Sequence, residues 1–158
     1  MSLAEYILAC TMFFECSTHE WEIRHEASVI YNLSADAEQD LVEIVSIPEK
    51  FSSWNGKVMP THVPEQIALG KTTPDGDNIP SWKRWRMCVV VAQALEAGEF
   101  TPVTEARVVD WDRSVPAQAR NMYGKPVGRQ IFYLPSKEQL EIELAREARR
   151  EEYLALNK

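Results

Sequence analysis

The stretch Ser17-Thr18-His19-Glu20-Trp21-Glu22-Ile23-Arg24-His25-Glu26-Ala27-Ser28-Val29-Ile30-Tyr31-Asn32-Leu33 decides the fold, because two periodicities compete in it. Ser17 and Glu20 have the spacing of a capping box, which opens helices. From Trp21 onward, however, the residues alternate. Trp21, Ile23, His25, Ala27, Val29, Tyr31 and Leu33 fall on one side, and Glu22, Arg24, Glu26, Ser28 and Asn32 on the other, with Ile30 the single violation. A period of two over about a dozen residues predicts a long half-buried strand.

The neighbouring segments read more simply. Upstream, residues 4–16 hold Leu8, Cys10, Phe13 and Phe14 among few charges and predict a mostly buried helix. Downstream, Ser34 is placed to cap a helix over 35–46, with Pro48 beyond its end. Residues 48–80 contain five prolines and three glycines and read as a long loop with one short helix near 64–69. A helix is expected from Ser81 until Gly98 closes it, with Trp82, Trp85, Val89 and Ala92 as its stripe. Short β-rich runs follow at 103–110 and 129–134, separated by a helix over 116–122. A last helix opens at the capping-box pair Ser136 and Gln139. Helices with strands in mixed order give an α+β class: one domain over 1–135, and a charged C-terminal helix over 136–158 that belongs to it or to an oligomer interface.

Composition bounds the function. The 158 residues are 45% hydrophobic and 26% charged, a globular mixture with no apolar run of membrane-spanning length, so no membrane partner is expected. Three cysteines without C-x-x-C spacing suggest neither a disulfide framework nor a zinc ribbon, and the only charge before the apolar N-terminal stretch is Glu5, unlike a secretory signal. A cytoplasmic protein without cofactor is the expectation. The net charge of −7 argues against indiscriminate nucleic-acid affinity. That total hides a segregation: residues 1–80 carry 4 Lys/Arg against 13 Asp/Glu, whereas residues 81–130 carry 8 against 5.

The basic middle centres on Trp82-Lys83-Arg84-Trp85-Arg86, where three cations occupy the first turns of the expected helix. Cations there oppose the positive end of the helix dipole and call for a counter-charge. Either the acidic half of the same chain supplies it, or an external anion does, met by indole faces and guanidinium forks. Arg113, Lys125 and Arg129 extend the candidate surface. Asp110 and Asp112, two apart at a strand end, are weak candidates for holding Mg²⁺. No nucleophile elbow, phosphate loop or dinucleotide fingerprint is present. The leading expectation is a non-catalytic interaction protein (an inhibitor, immunity-type or accessory subunit) that binds a protein or acidic ligand through the aromatic and basic surface. A Mg²⁺-dependent phosphoester enzyme and a nucleic-acid-binding module are the alternatives. Self-association through the C-terminal helix, whose i,i+3 ion pairs let it stand in solvent, is a further expectation.

Overall fold

The computed structural model describes residues 1–16, 19–48, 50–76, 78–111, 127–134 and 148–157. Their elements are α1 (Leu3–Glu15), α2 (Glu20–Ala37), α3 (Leu41–Ser46), a 3-10 turn (Ser52–Trp54), α4 (Glu65–Ala68), α5 (Ile79–Glu96), β1 (Val108–Trp111) and β2 (Gln130–Tyr133). The two strands pair antiparallel, Val108 opposite Tyr133 and Trp111 opposite Gln130. This is a small α+β fold. Residues 148–156 are also helical, and the Arg150 guanidinium donates to the Pro48 carbonyl at 3.4 Å. The expected helix over 116–122 and the first half of the C-terminal helix lie outside the described residues.

The principal correction falls on the deciding stretch: Trp21 to Leu33 is helix, not strand. Helical burial collects Ile23, Ala27 and Ile30 on one inward face, and all three are fully buried. Ile30, the violator of the alternation, is therefore the residue that obeys the true period, i, i+4, i+7. Trp21 and Tyr31, which a strand would have turned inward, are 56% and 40% exposed. Helix wins because it buries Ile23, Ala27, Ile30 and Val29 together against α5, α3 and α1, an arc wider than one strand face provides. The capping box is not used in its expected register either, since His19 occupies the N-cap and makes no side-chain cap bond.

A second correction follows from the first. Ser34 does not begin a helix, because α2 runs through it to Ala37 and ends at Glu38 in a left-handed conformation, φ 51°. Asp40 is the true cap of α3, accepting the Val42 N–H at 2.8 Å.

The core lies where α1 packs along α5, with α2 and α3 against them. Leu8, Ala9, Met12 and Phe13 of α1 are fully buried, while Trp85, Cys88, Ala92 and Leu95 form the inward face of α5. The Trp85 ring stands edge-on to Tyr6 and Phe13, with centroids 6.2 and 5.6 Å away, a geometry that aromatic quadrupoles favour. The expected stripe was rotated by a few tens of degrees, since Trp82 and Val89 are only half-buried flanks. The stop is as expected: Gly98 has φ 71°, its N–H reaches the Leu95 carbonyl, and the Glu99 N–H reaches Ala94 at 2.9 Å. That pair of bonds is a Schellman motif. The proline-rich segment after α3 is fastened to α1, with the Trp54 indole N–H donating to Thr11 Oγ1 at 2.8 Å and the Ser53 hydroxyl to the Thr11 carbonyl at 3.0 Å.

The packing of α1 on α5 sets a measurable contrast. Trp85→Ala should cost about 3–5 kcal/mol in urea denaturation, whereas Val90→Ala, on the 60% exposed side of the same helix, should stay within about 0.5 kcal/mol.

Candidate functional site

The structure divides the expected basic surface. Trp85 is core. Arg84 turns inward: its guanidinium lies 4.1 Å from the centroid of the Phe13 ring and bonds Asp75 at 3.5 Å, so the first 80 residues do supply its counter-charge. Arg86 stays exposed and stacks over the Trp82 ring at 5.7 Å. Lys83 is exposed and makes no ion pair among the described residues. Arg129 fastens the β2 turn to the helices, its backbone N–H donating to Glu22 Oε1 and its guanidinium to the Cys16 carbonyl, each at 3.4 Å. Arg113 and Lys125 lie outside the described residues, as does Asp112. Asp110 accepts the Tyr133 hydroxyl through Oδ2. Among the described residues no three His, Cys, Asp or Glu side chains are placed to hold a metal ion, and no helix is long and apolar enough to cross a membrane.

What the strand reading hid is a group of carboxyls in the core. Glu22 and Glu26 are four apart on α2, so the helix turns both inward beside Ile23 and Ala27, and both are fully buried. Glu15, at the end of α1, is 5% exposed and reaches the same region. The three carboxyls are treated very differently by their surroundings. Glu15 Oε1 accepts the Ser52 hydroxyl at 2.7 Å, the Ser53 N–H at 2.7 Å and the Ser53 hydroxyl at 2.9 Å. Glu22 accepts the Arg129 N–H and lies directly under Gly128, where a Cβ would come within 1.9 Å of Glu22 Oε2. Only glycine fits there, and its φ of 63° is one that side chains disfavour. Among the described residues Glu26 has no hydrogen-bond partner at either oxygen.

An unpartnered carboxylate in an apolar core is costly enough that the group takes a proton instead. Burial, with Glu15 and Glu22 beside it, pushes the Glu26 carboxyl well above the ordinary carboxylate range. Cys16 joins the same cluster, its thiol pushed up by burial and by the surrounding Glu26, Cys88, Glu22 and Glu15, while its Sγ donates to Gln130 Oε1 at 3.7 Å. Residues 128–130 thus cover the cluster through four contacts: Gly128 and the Arg129 N–H on Glu22, and the Arg129 guanidinium and Gln130 on Cys16. Gly128 is itself exposed. Comparison with protein-family models, curated proteins and solved structures found no match.

A raised carboxyl has a signed consequence for stability. The unfolded chain loses the Glu26 proton near pH ~4.3, while the folded chain keeps it to higher pH, so stability falls as pH rises between those points. Glu26→Gln, neutral at every pH, should remove that slope and make the protein more stable than wild type above neutrality. Urea midpoints across the pH range check this, and an unchanged slope would contradict it.

Proposed function

We propose that the Glu15, Glu22 and Glu26 carboxyls form an acid–base centre acting on an uncharged substrate. The observation that carries this reading is Glu26, fully buried with both oxygens unpartnered among two further carboxyls. Buried groups with strongly displaced proton affinities gather at functional sites, because catalysis needs acids and bases whose affinities are pushed apart. Glu26 supplies the acid: neutral, it gives its proton to a leaving heteroatom. Glu15, held as an acceptor by Ser52 and Ser53, is the base that takes a proton from the attacking water. Each turnover leaves Glu26 ionised and Glu15 protonated, and return of that proton from Glu15 to Glu26 restores the starting state. Carboxyl oxygens offer an anionic phosphoester no attraction, which disfavours that substrate and favours a neutral ester, amide or acetal.

A second reading keeps a surface role, that of an interaction protein binding an acidic partner. Its support is the pair Lys83 and Arg86, exposed on one side of α5 with Ile79 at 87% and Val90 at 60% exposure beside them. Cys10, Cys16 and Cys88 are buried free thiols, which suits a reducing compartment such as the cytoplasm in either reading.

The acid–base reading is tested by turnover of a panel of uncharged esters, amides and acetals. Glu26→Gln and Glu15→Gln should each lower turnover by about 10²–10⁴-fold, and in Glu26→Gln the melting temperature should stay at or above that of wild type. Full activity in Glu26→Gln, or no turnover of any member by wild type, would overturn it.

A further inference from the structure

One face of α5 is exposed along its whole length. Ile79, Lys83, Arg86, Val90, Gln93 and Ala97 follow at intervals of three and four residues, which places them on one line, and all six are exposed. With 18 residues, α5 is about 27 Å long. Charge along it runs against the helix dipole at both ends. Lys83, Arg84 and Arg86 stand near the positive N-terminus with no acid in the first turn, while Glu96 and Glu99 stand at the negative C-terminus with no base in the last turn. Among the described residues Arg84 has Asp75 but Lys83 and Arg86 form no ion pair with a carboxylate, and the acidic end meets further acid: partial burial, with Asp40 and Glu5 beside it, raises the proton affinity of Glu96.

One arrangement relieves both ends at once. We propose that this face of α5 is the interface of a symmetric dimer, in which the α5 helices of two copies pair antiparallel about a two-fold axis near Val90. In that pairing Lys83 of one copy lies opposite Ala97 of the other, within side-chain reach of Glu96 and Glu99. Arg86 lies opposite Gln93, and Val90 meets its own counterpart. Each cationic start then faces an anionic end, and each helix dipole is set head to tail against its partner. A symmetric interface needs one self-complementary patch, and this face is one because its charges change sign about its centre. The proposal gives the surface reading above a definite partner and rests on that reading alone, independent of the buried carboxyls.

Sedimentation equilibrium at low and high salt tests it. Wild type should be dimeric at low salt and dissociate as salt rises. Lys83→Glu/Arg86→Glu and Glu96→Lys/Glu99→Lys should each weaken self-association by at least about tenfold with unchanged circular dichroism. An equimolar mixture of the two should restore a dimer, since both contacts are then complementary again. Val90→Cys should form a covalent dimer on oxidation. The proposal is overturned by a wild type that stays monomeric at low salt, by a dimer indifferent to both charge reversals, or by a mixture that fails to recover. Retention of poly-glutamate by a monomeric wild type, lost in Lys83→Glu/Arg86→Glu, would sink the dimer while leaving the surface reading intact. Retention that ignores those substitutions would sink both.

Discussion

A carboxyl group that α2 carries into the core without a partner is the constraint on which the account of this molecule depends. Ionised and unpaired, such a group costs several kcal/mol in an apolar interior, a large share of the stability of a domain this size. The fold places three in one region and gives each a different environment: serine donors for Glu15, the backbone of the β2 turn for Glu22, and nothing for Glu26. Among the described residues no cation pairs with Glu26, and Arg84 of α5 is committed to Asp75 and to the Phe13 face.

The same helix explains why the rest of the chain is arranged as it is. Ile23, Ala27 and Ile30 tie α2 to the core formed by α1 and α5, while Glu22 and Cys16 receive the turn before β2. Asn32, one turn after Ser28, donates to the carbonyls of Thr104 and Ala106 at 3.0 Å, and the Ser28 hydroxyl accepts the Val103 N–H at 2.9 Å. The polar residues of α2 therefore organise the chain that leads into β1. Its Glu22 receives the turn that leads into β2. A two-stranded sheet has little independent stability, and these bonds to α2 hold it in place.

Much of this was legible in the sequence. The helix ending at Gly98, the buried N-terminal helix, the short helix near residue 65 and the two β-rich runs follow from local rules of capping, apolar spacing and turn chemistry. The deciding stretch was not legible, because its alternation is real in the letters but incidental in space. Trp21, His25 and Tyr31 happen to fall at even spacing while lying on the outer part of a helix. The cost of that misreading was functional as well as structural. A strand puts Glu22 and Glu26 among the solvated residues, whereas a helix puts them beside Ile23 and Ala27. The signal that could have found them was Ile30, whose spacing from Ile23 and Ala27 is helical and whose helix carries two glutamates on its apolar side. Inward Arg84 and outward Lys83 and Arg86 were not told apart, because charge counting along a chain has no knowledge of which side of a helix each cation takes.

The most direct measurement of the central claim is a ¹³C titration of the side-chain carboxyls, with the Glu26 resonance assigned by its absence in Glu26→Gln. The Glu26 carboxyl shift should stay at its protonated value well past the pH ~4.3 midpoint of an unperturbed glutamate. A Glu26 resonance that titrates at that midpoint would contradict the central claim.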